Sequence, residues 1–202
     1  MGLDHAVVFP DRFSLPVTAI LWFLKEKRMK ALAITSLFLL SFSTLFHAPR
    51  VDINQEVTVN GLTYLYGEIN REGLSSKNYQ TWFKAKYDAY QPSSSQLAMC
   101  NQQSLDGVTV KLLMATWCGD SKRNVPAFYK IMDQLGFDEK NLQAYALDRR
   151  KQGPNGEQIK YGVTRVPTII FYRDDVEIGR FVERPRPGQK LEDIIVSILN
   201  QP

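Results

Sequence analysis

The sequence is poor in the two residue types that most often carry nucleophilic catalysis and metal binding. Its 202 residues include two cysteines, Cys100 and Cys118, and two histidines, His5 and His47. Both histidines lie in the first 48 residues, so the rest of the chain has none. This excludes Cys-His and Ser-His-Asp catalysis there, and two cysteines alone make a poor zinc site. We therefore expect no metal.

The sequence also lacks a strong excess of charge of either sign. Its formal net charge is +4, and after residue 48 twenty basic residues stand against eighteen acidic ones. A nucleic-acid-binding domain usually concentrates Lys and Arg on one face, and no long basic face is indicated here. We therefore expect no nucleic-acid partner. With 44% hydrophobic residues and no repeat, the chain suits one globular domain with additions.

The first 48 residues have the layout of a secretory signal. A basic cluster, Lys25–Lys30, precedes an uncharged, mostly apolar run from Ala31 to Phe46, the order found in signal peptides. The cleavage region is not clean, because bulky Phe46 lies two residues before Ala48. An uncleaved membrane anchor is the alternative, although a spanning helix needs about 20 apolar residues. In both cases we expect the body to be exported to the periplasm or cell envelope, either soluble or attached through the leader.

Patterning after the leader predicts turns first and then alternating strands and helices. Asn60-Gly61 lies between two alternating segments and predicts a β-hairpin. Ser75 or Ser76 is placed to cap a helix that runs through Tyr90. The chain is therefore divided into a leader over residues 1–48, an N-terminal extension with the first helix over residues 49–105, and a core over residues 106–202.

The core has a clear order of strands and helices. Apolar runs predict strands over residues 108–115, 142–147, 168–172 and 177–182. One amphipathic helix is expected from Ser121 to Gly136, and a last helix is expected from Pro187. The order β-α-β, then a β-hairpin, then α implies a mixed sheet covered by helices.

Two motifs in this core resemble the signatures of the thioredoxin family. WCGDSKRNVP, residues 117–126, resembles its active-site turn, including a proline eight residues after the cysteine. RVPTIIFY, residues 165–172, resembles its second signature, in which a cis proline faces the cysteine. The resemblance covers Val108–Gln201 and implies a thioredoxin-like three-layer α/β/α fold with a central mixed sheet. The whole chain is also similar to exported thioredoxin-like proteins of Bacteroidetes-type bacteria.

Three positions depart from the pattern of this family. Ser121 stands where the resolving cysteine is expected, and Asp120 stands where proline is common. Leu112 occupies the position at which the family often keeps a buried acid that assists proton transfer. The changes at Ser121 and Leu112 remove parts of the standard dithiol cycle and leave Cys118 as the candidate nucleophile.

The placement of Cys118 favours a reactive thiolate. We expect it between a strand and a helix, where unpaired amides and the helix dipole stabilise an anion. A hydrogen bond from Ser121 would add to this, whereas the charge of Asp120 would oppose it. A hydroxyl is too weakly acidic to resolve a mixed disulfide, so an external thiol must complete the cycle.

A charged segment follows the second core strand, which we expect to run parallel to the first. Because parallel strands end at the same edge of a sheet, this segment is expected near Cys118. It holds Asp148, Arg149 and Arg150. The two arginines would favour a thiolate or an anionic substrate and Asp148 would disfavour both, so their net effect stays open. A solvated loop is the alternative for residues 149–151.

The resemblance implies a groove for an extended substrate beside the thiol. Its expected members are Trp117, Gly119, Asp120, Val166, Pro167 and Thr168. The implied function is thiol–disulfide exchange on protein or small-molecule thiols and disulfides, with no metal or organic cofactor. Cys100 precedes the first core strand and is expected near its far end as a buried, inert residue. The alternative function is a non-catalytic module that binds extended peptides or envelope proteins.

Overall fold

The computed structural model of the chain describes residues 52–201, which belong to one compact unit. The predicted leader lies outside the described residues. Within residues 52–201, no helix combines the length and apolar character needed to cross a bilayer. Export, leader cleavage, membrane attachment and the division at residue 105 therefore stay predictions.

Strands and helices follow the predicted order. The strands are β1 (Glu56–Val59), β2 (Leu62–Leu65), β3 (Gly67–Ile69), β4 (Val108–Met114), β5 (Leu142–Ala146), β6 (Thr168–Arg173) and β7 (Val176–Val182). The helices are α1 (Arg71–Leu74), α2 (Gln80–Ala89), α3 (Ser94–Leu97), α4 (Gly119–Leu135), α5 (Glu157–Lys160) and α6 (Leu191–Leu199). Short 3₁₀ turns lie at Gln102–Leu105 and Glu139–Asn141.

The central sheet has the strand order β3-β5-β4-β6-β7. β4 and β5 are parallel, and the other neighbouring pairs are antiparallel. β1 and β2 form a separate hairpin. The predicted mixed sheet is therefore confirmed. The carboxyl ends of β4 and β5, which meet at one edge, both lead into charged segments.

Two tight turns connect neighbouring strands, and the first lies at the predicted Asn60-Gly61. Asn60 and Gly61 have φ values of 51° and 75° and connect β1 to β2. Asp174 and Asp175 have φ values of 49° and 65° and connect β6 to β7. Two successive left-handed residues match the twist of the flanking strands, and Asn, Asp and Gly adopt this conformation at low cost.

The predicted starts of two helices are wrong by several residues, and α4 begins two residues earlier than predicted, at Gly119 and not at Ser121. α2 begins at Gln80 after Tyr79 and not at Ser75 or Ser76, because residues 75–79 form turns after α1. The pattern missed α1, whose start is capped by Asn70 through its contact with the Gly73 amide. α6 begins at Leu191 and not at Pro187, because Gly188 at φ 82° turns the chain first.

The two faces of the sheet are covered by layers of different thickness. One face packs against α2, α4 and α6. The other is covered by the segment between β5 and β6, which includes α5. Apolar members of this smaller layer are Leu113, Ala115, Tyr145, Leu147, Val163, Val166 and Ile170, with Trp117 and Cys118 packed against them. The predicted three-layer fold is thus confirmed, and the candidate thiol borders its thin layer.

Arg71 joins the N-terminal extension to α4. Its guanidinium donates two hydrogen bonds to the Asp133 carboxylate, at 2.8 and 2.7 Å, and lies 4.6 Å from the centre of the Tyr129 ring. Tyr87 of α2 donates to the same carboxylate at 2.6 Å. Burial opposes ionisation of Asp133, but the Arg71 and Tyr87 donors outweigh it and lower the pKa of Asp133. The Asp133 carboxylate therefore connects α1 and α2 to the end of α4.

Candidate active site

Cys118 lies at the start of α4, directly after β4. Its amide donates to the Ala115 carbonyl at 3.0 Å and closes a turn at the end of the strand. Its own carbonyl accepts from the Lys122 amide at 3.0 Å, which is the first bond of the helix. This strand-turn-helix connection fixes the thiol at the carboxyl edge of β4 and leaves it partly exposed.

The second motif lies against this thiol. Cys118 Sγ donates to the Val166 carbonyl oxygen at 3.4 Å, a contact between residues 48 positions apart. The Val166–Pro167 peptide bond is cis. Thr168 Oγ1 donates to the Arg165 carbonyl at 2.7 Å and holds the segment before β6 in a turn. The structure therefore brings the two sequence motifs into direct contact.

The first turn of α4 is open to an anion. Cys118 occupies the N-cap position, and no side chain caps this helix. An N-cap side chain normally accepts from the amides two and three residues later, which here belong to Asp120 and Ser121. A thiolate at Cys118 is placed to accept these hydrogen bonds and to meet the positive end of the helix dipole. The 17 residues of α4 form the longest helix of the described chain.

Ser121 is completely buried behind the thiol. Its Oγ accepts a hydrogen bond from the Ala115 amide at 3.2 Å, and its side chain is 0% exposed. The hydroxyl oxygen therefore fastens the end of β4 to the first turn of α4. The hydroxyl hydrogen is not used by this contact, so its donation to a Cys118 thiolate stays a prediction.

Two charged residues of the first helical turn make contacts with groups other than the thiol. The Asp120 carboxylate accepts from Arg123 at 3.3 Å, so part of its negative charge is compensated on the helix itself. Lys122 extends in another direction, with Nζ 5.9 Å from the centre of the Trp82 ring. Neither side chain therefore has Cys118 Sγ as its contact partner.

Trp117 is fixed to the end of β5. Its Nε1 donates to the Leu147 carbonyl at 3.1 Å, and the Arg149 guanidinium lies 5.1 Å from the centre of its ring. Asp148 acts differently, because its Oδ1 accepts from the amides of Arg150 and Gln152, each at 2.8 Å. The segment expected to tune the thiol therefore divides its roles: the Arg149 side chain faces the motif, and Asp148 closes the loop.

Two further residues hold the site together and have no local pattern that predicts them. Asn124 is buried and donates to the carbonyls of Asp120 and Glu183, at 3.1 and 2.9 Å. Lys151 Nζ donates to the Thr164 carbonyl at 3.2 Å. Such contacts join side chains to a distant backbone. The only sequence signal for Asn124 is its polar character on the apolar face of α4.

Thr116 connects the N-terminal extension to the motif. Its Oγ1 accepts from the Leu65 amide at 3.1 Å, and the residue is buried. The contact joins the end of the β1–β2 hairpin to the residue before Trp117. The extension thus supports the turn that carries Cys118.

Gly119 leaves open space beside the thiol. A β-carbon built at this position meets no heavy atom within 4 Å, and its backbone is not left-handed. The fold therefore does not require glycine here. A small residue at the first helical position leaves one side of Cys118 accessible.

The other cysteine lies far from this arrangement. Both cysteines are free, and Cys100 is half-buried beside a cavity of about 540 Å³ that Leu97 and Leu135 help to line. Burial raises the pKa of the Cys100 thiol. Leu112 is 0% exposed in the middle of β4, so the place of the family's buried acid is filled by an apolar side chain.

Comparison with known proteins gives the same family. A family model described as Thioredoxin matches residues 72–195, more than half of the chain. Thioredoxin of Listeria monocytogenes is 24% identical over 98 residues, which cover 48% of this chain and 89% of that protein. Thioredoxin of Rhodospirillum rubrum is 30% identical over 69 residues, which cover 34% of this chain and 62% of that protein.

Solved structures of thioredoxins are also similar to the chain. The structure of Fasciola hepatica thioredoxin is 26% identical, covers 38% of this chain and 69% of its own, and has a TM-score of 0.29. The paired motifs meet in space at Cys118 and Val166, and the family model spans both of them. The chain therefore belongs to the thioredoxin family, whose chemistry is thiol–disulfide redox exchange.

Proposed function

We propose that the protein is an exported thiol–disulfide exchange protein that works with one nucleophilic cysteine and needs an external thiol to turn over. The observation that supports this most strongly is the position of Cys118 at the uncapped start of α4, against the Val166 carbonyl. Ser121 occupies the position of a resolving cysteine and cannot act as one.

The proposed cycle has two exchange steps. The Cys118 thiolate attacks one sulfur of a substrate disulfide, a new S–S bond joins the two, and the other substrate sulfur leaves as a thiolate. An external thiolate then attacks the mixed disulfide at the substrate sulfur and returns Cys118 as a thiolate. Off the protein, a second external thiolate attacks the resulting external–substrate disulfide at its external sulfur and releases the remaining substrate thiolate, so two external thiols supply the two electrons that reduce the substrate disulfide.

The substrate is proposed to lie as an extended strand beside the segment 164–167. Thr164 and Arg165 of this segment are exposed, and exposed backbone near a fixed thiol suits strand addition, in which main-chain hydrogen bonds supply affinity. In this proposal Trp117 and Pro167 border the groove, and the open space at Gly119 admits the substrate sulfur. Ser121 and the first-turn amides stabilise the thiolate in this proposal.

The decisive experiment compares two cysteine substitutions. Cys118→Ser is expected to lose reduction of 2-hydroxyethyl disulfide in the presence of excess reduced thiol by about 100-fold or more, since the nucleophile is gone. Cys100→Ser is the matched control and should retain the wild-type rate. If Cys118→Ser remains as active as Cys100→Ser, the proposal fails.

A second variant tests the missing resolving step. In the absence of reductant, the wild-type protein should release about one thiol per chain from a disulfide, because Cys118 stays in the mixed disulfide. Ser121→Cys should release about two, since the new thiol displaces the second product. Quantifying the released thiol against protein concentration checks both values. One equivalent from Ser121→Cys would show that residue 121 is not placed to resolve.

Binding without exchange is the second candidate function. Leu112, fully buried where an acid would assist proton transfer, supports it. In that case Cys118→Ala retains partners from the native cell envelope as well as wild type. Under the leading proposal, the same partners are captured as mixed disulfides that require Cys118. Sequencing the N-terminus of the mature protein tests the export proposal separately.

A further inference from the structure

Exposed or partly exposed cationic side chains lie in the segments that follow β5 and β7, although the body of the chain is nearly balanced in charge. Arg149 lies over the Trp117 ring, a favourable cation–π arrangement. Among the ion pairs within residues 52–201, none involves Arg149. Asp148, its neighbour, already accepts two backbone amides. Arg149 is therefore an exposed cation over the ring of the residue that precedes Cys118, and it has no carboxylate partner among the described ion pairs.

Lys151 places a second cation along the same groove. Its backbone is left-handed, with φ 61°, and its Nζ reaches the Thr164 carbonyl at 3.2 Å. Thr164 lies two residues before Val166, whose carbonyl contacts Cys118 Sγ. The ammonium group is therefore held by the segment along which the extended substrate is proposed to lie.

The other side of the groove is also basic. The Glu183 amide donates to the Pro167 carbonyl at 2.7 Å, so the chain after β7 runs beside the second motif. The Glu183 carboxylate pairs with Arg165 at 3.3 Å. Arg184 and Arg186, which follow, are both exposed. This second flank therefore adds positive charge as well.

The carboxylates of these segments are already engaged. Asp120 pairs with Arg123, Glu183 pairs with Arg165, and Asp148 bonds loop amides. The remaining exposed or partly exposed cations on the two flanks are Arg149, Arg150, Lys151, Arg184 and Arg186. A cleft lined by one sign of charge attracts ligands of the opposite sign and speeds their encounter.

We infer that this groove selects polypeptide disulfides whose cysteine is flanked by aspartate or glutamate. The inference rests on the proposed exchange function and adds the substrate class. Three of these cations belong to the segment after β5 and two to the segment after β7, so they are not confined to one segment. Several spaced carboxylates on an extended peptide fit this distribution, whereas one small anionic disulfide meets only part of it.

The test uses three peptides with identical length and one cysteine each. The cysteine carries a thionitrobenzoate group as a mixed disulfide, and its four flanking residues are all Glu, all Gln or all Lys. Attack of the Cys118 thiolate on the peptide sulfur forms the protein–peptide disulfide and releases thionitrobenzoate, whose absorbance gives the second-order rate constant.

At low salt the Glu peptide is expected to react about tenfold faster than the Gln peptide, and the Lys peptide slowest, because steering acts on the encounter rate. The Glu-to-Gln ratio should fall towards one when the salt is raised to about 1 M, where the screening length is about 3 Å. The double variant R149Q/K151Q should lower this ratio at least threefold. The matched control is the double variant K84Q/K140Q. It removes two exposed cations that lie away from the groove and should leave the ratio unchanged.

The outcomes separate this inference from the proposed function. If all three peptides react through Cys118 at the same rate at low salt, the exchange function stands and the acidic preference is overturned. An equal fall of the ratio in K84Q/K140Q also overturns it, because overall charge would then explain the preference. If Cys118→Ser releases thionitrobenzoate as fast as wild type, both the exchange function and this inference fail.

Discussion

Each end of β4 lies near one cysteine, and the surroundings of the two thiols differ. At the carboxyl end, Cys118 lies at the open start of α4, directly after Trp117, whose ring contacts the Arg149 guanidinium. At the amino end, Cys100 follows the short helix α3, and burial alone raises its pKa. Both thiols are partly buried. Because the two thiols are exposed to a similar degree, we expect any difference in their reactivity to come from the open helix start at Cys118.

The backbone polar groups at the two ends of β4 also differ in whether side chains satisfy their hydrogen bonds. The amides at the start of α4 are left without a side-chain cap. At the other end, Arg173 donates to the carbonyls of Leu199 and Ser104, at 2.7 and 3.0 Å, and also to that of Gln201. One end therefore keeps donors available for a ligand, and the other satisfies its acceptors internally.

The largest expected difference between the ends is the rate of alkylation. Iodoacetamide at pH 7 should modify Cys118 at least about tenfold faster than Cys100, because only Cys118 has groups that stabilise its thiolate. Quenched time points and mass spectrometry of the two peptides measure both rates in one sample. Full unfolding in urea should remove the difference in rate. Equal rates in the folded protein would contradict the expectation that the start of α4 activates Cys118.

Removal of the Arg173 guanidinium, which donates to backbone carbonyls near the amino end of β4, should lower stability. Arg173→Gln is expected to lower the free energy of unfolding by about 2 kcal/mol, since charge-assisted hydrogen bonds to helix carbonyls are lost. Arg150→Gln, at an exposed position, is the control and should change it by less than about 0.5 kcal/mol. Urea unfolding followed by circular dichroism measures both. A loss of the same size in the two variants would show that Arg173 does not act through these contacts.

The stability contributed by Asp133, at the carboxyl end of α4, should depend on pH in the acid range. The pKa of Asp133 is lowered in the folded protein, so its contribution to stability is complete above the unfolded value of about 3.9 and is lost as pH falls through the folded pKa. Asp133→Asn should therefore reduce stability at pH 7 and flatten its decline in acid. Urea midpoints between pH 7 and about pH 3 provide the measurement, and an unchanged slope in the variant would contradict the assignment.

The smallest expected effect concerns the open position beside Cys118. Gly119→Ala should raise the free energy of unfolding by about 0.5 kcal/mol, because the β-carbon meets nothing and glycine loses more backbone freedom on folding. The same methyl group should slow reaction with peptide disulfides more than with iodoacetamide. Parallel measurement of stability and both rates tests this; destabilisation by alanine would mean that the fold needs glycine after all.

Much of this arrangement follows from local sequence patterns. The apolar runs, Asn60-Gly61 and the two motifs predict the mixed sheet and the position of Cys118, because each depends on neighbouring residues or on strand order. The starts of α2 and α6 were wrong because turns before Gln80 and Leu191 compete with the helix. Short turns of this kind have weak signals.

The contacts that complete the site depend on residues distant in the chain. Asn124 meets the carbonyl of Glu183, Thr116 meets the amide of Leu65, and Lys151 meets the carbonyl of Thr164. Each contact joins a side chain to a backbone group whose position is set only by the finished fold. No period or spacing in one sequence encodes such a pair, so these residues were missed.

The hydrogen bond between Ser121 Oγ and the Ala115 amide also bears on how this site can change over time. An oxygen is a much better acceptor than a thiol sulfur, which is also larger. Restoring cysteine at position 121 would therefore weaken the contact that fastens β4 to α4, while adding a resolving thiol. A single change to cysteine would therefore gain dithiol chemistry at a loss of stability, and a compensating substitution nearby would be needed only to recover that stability.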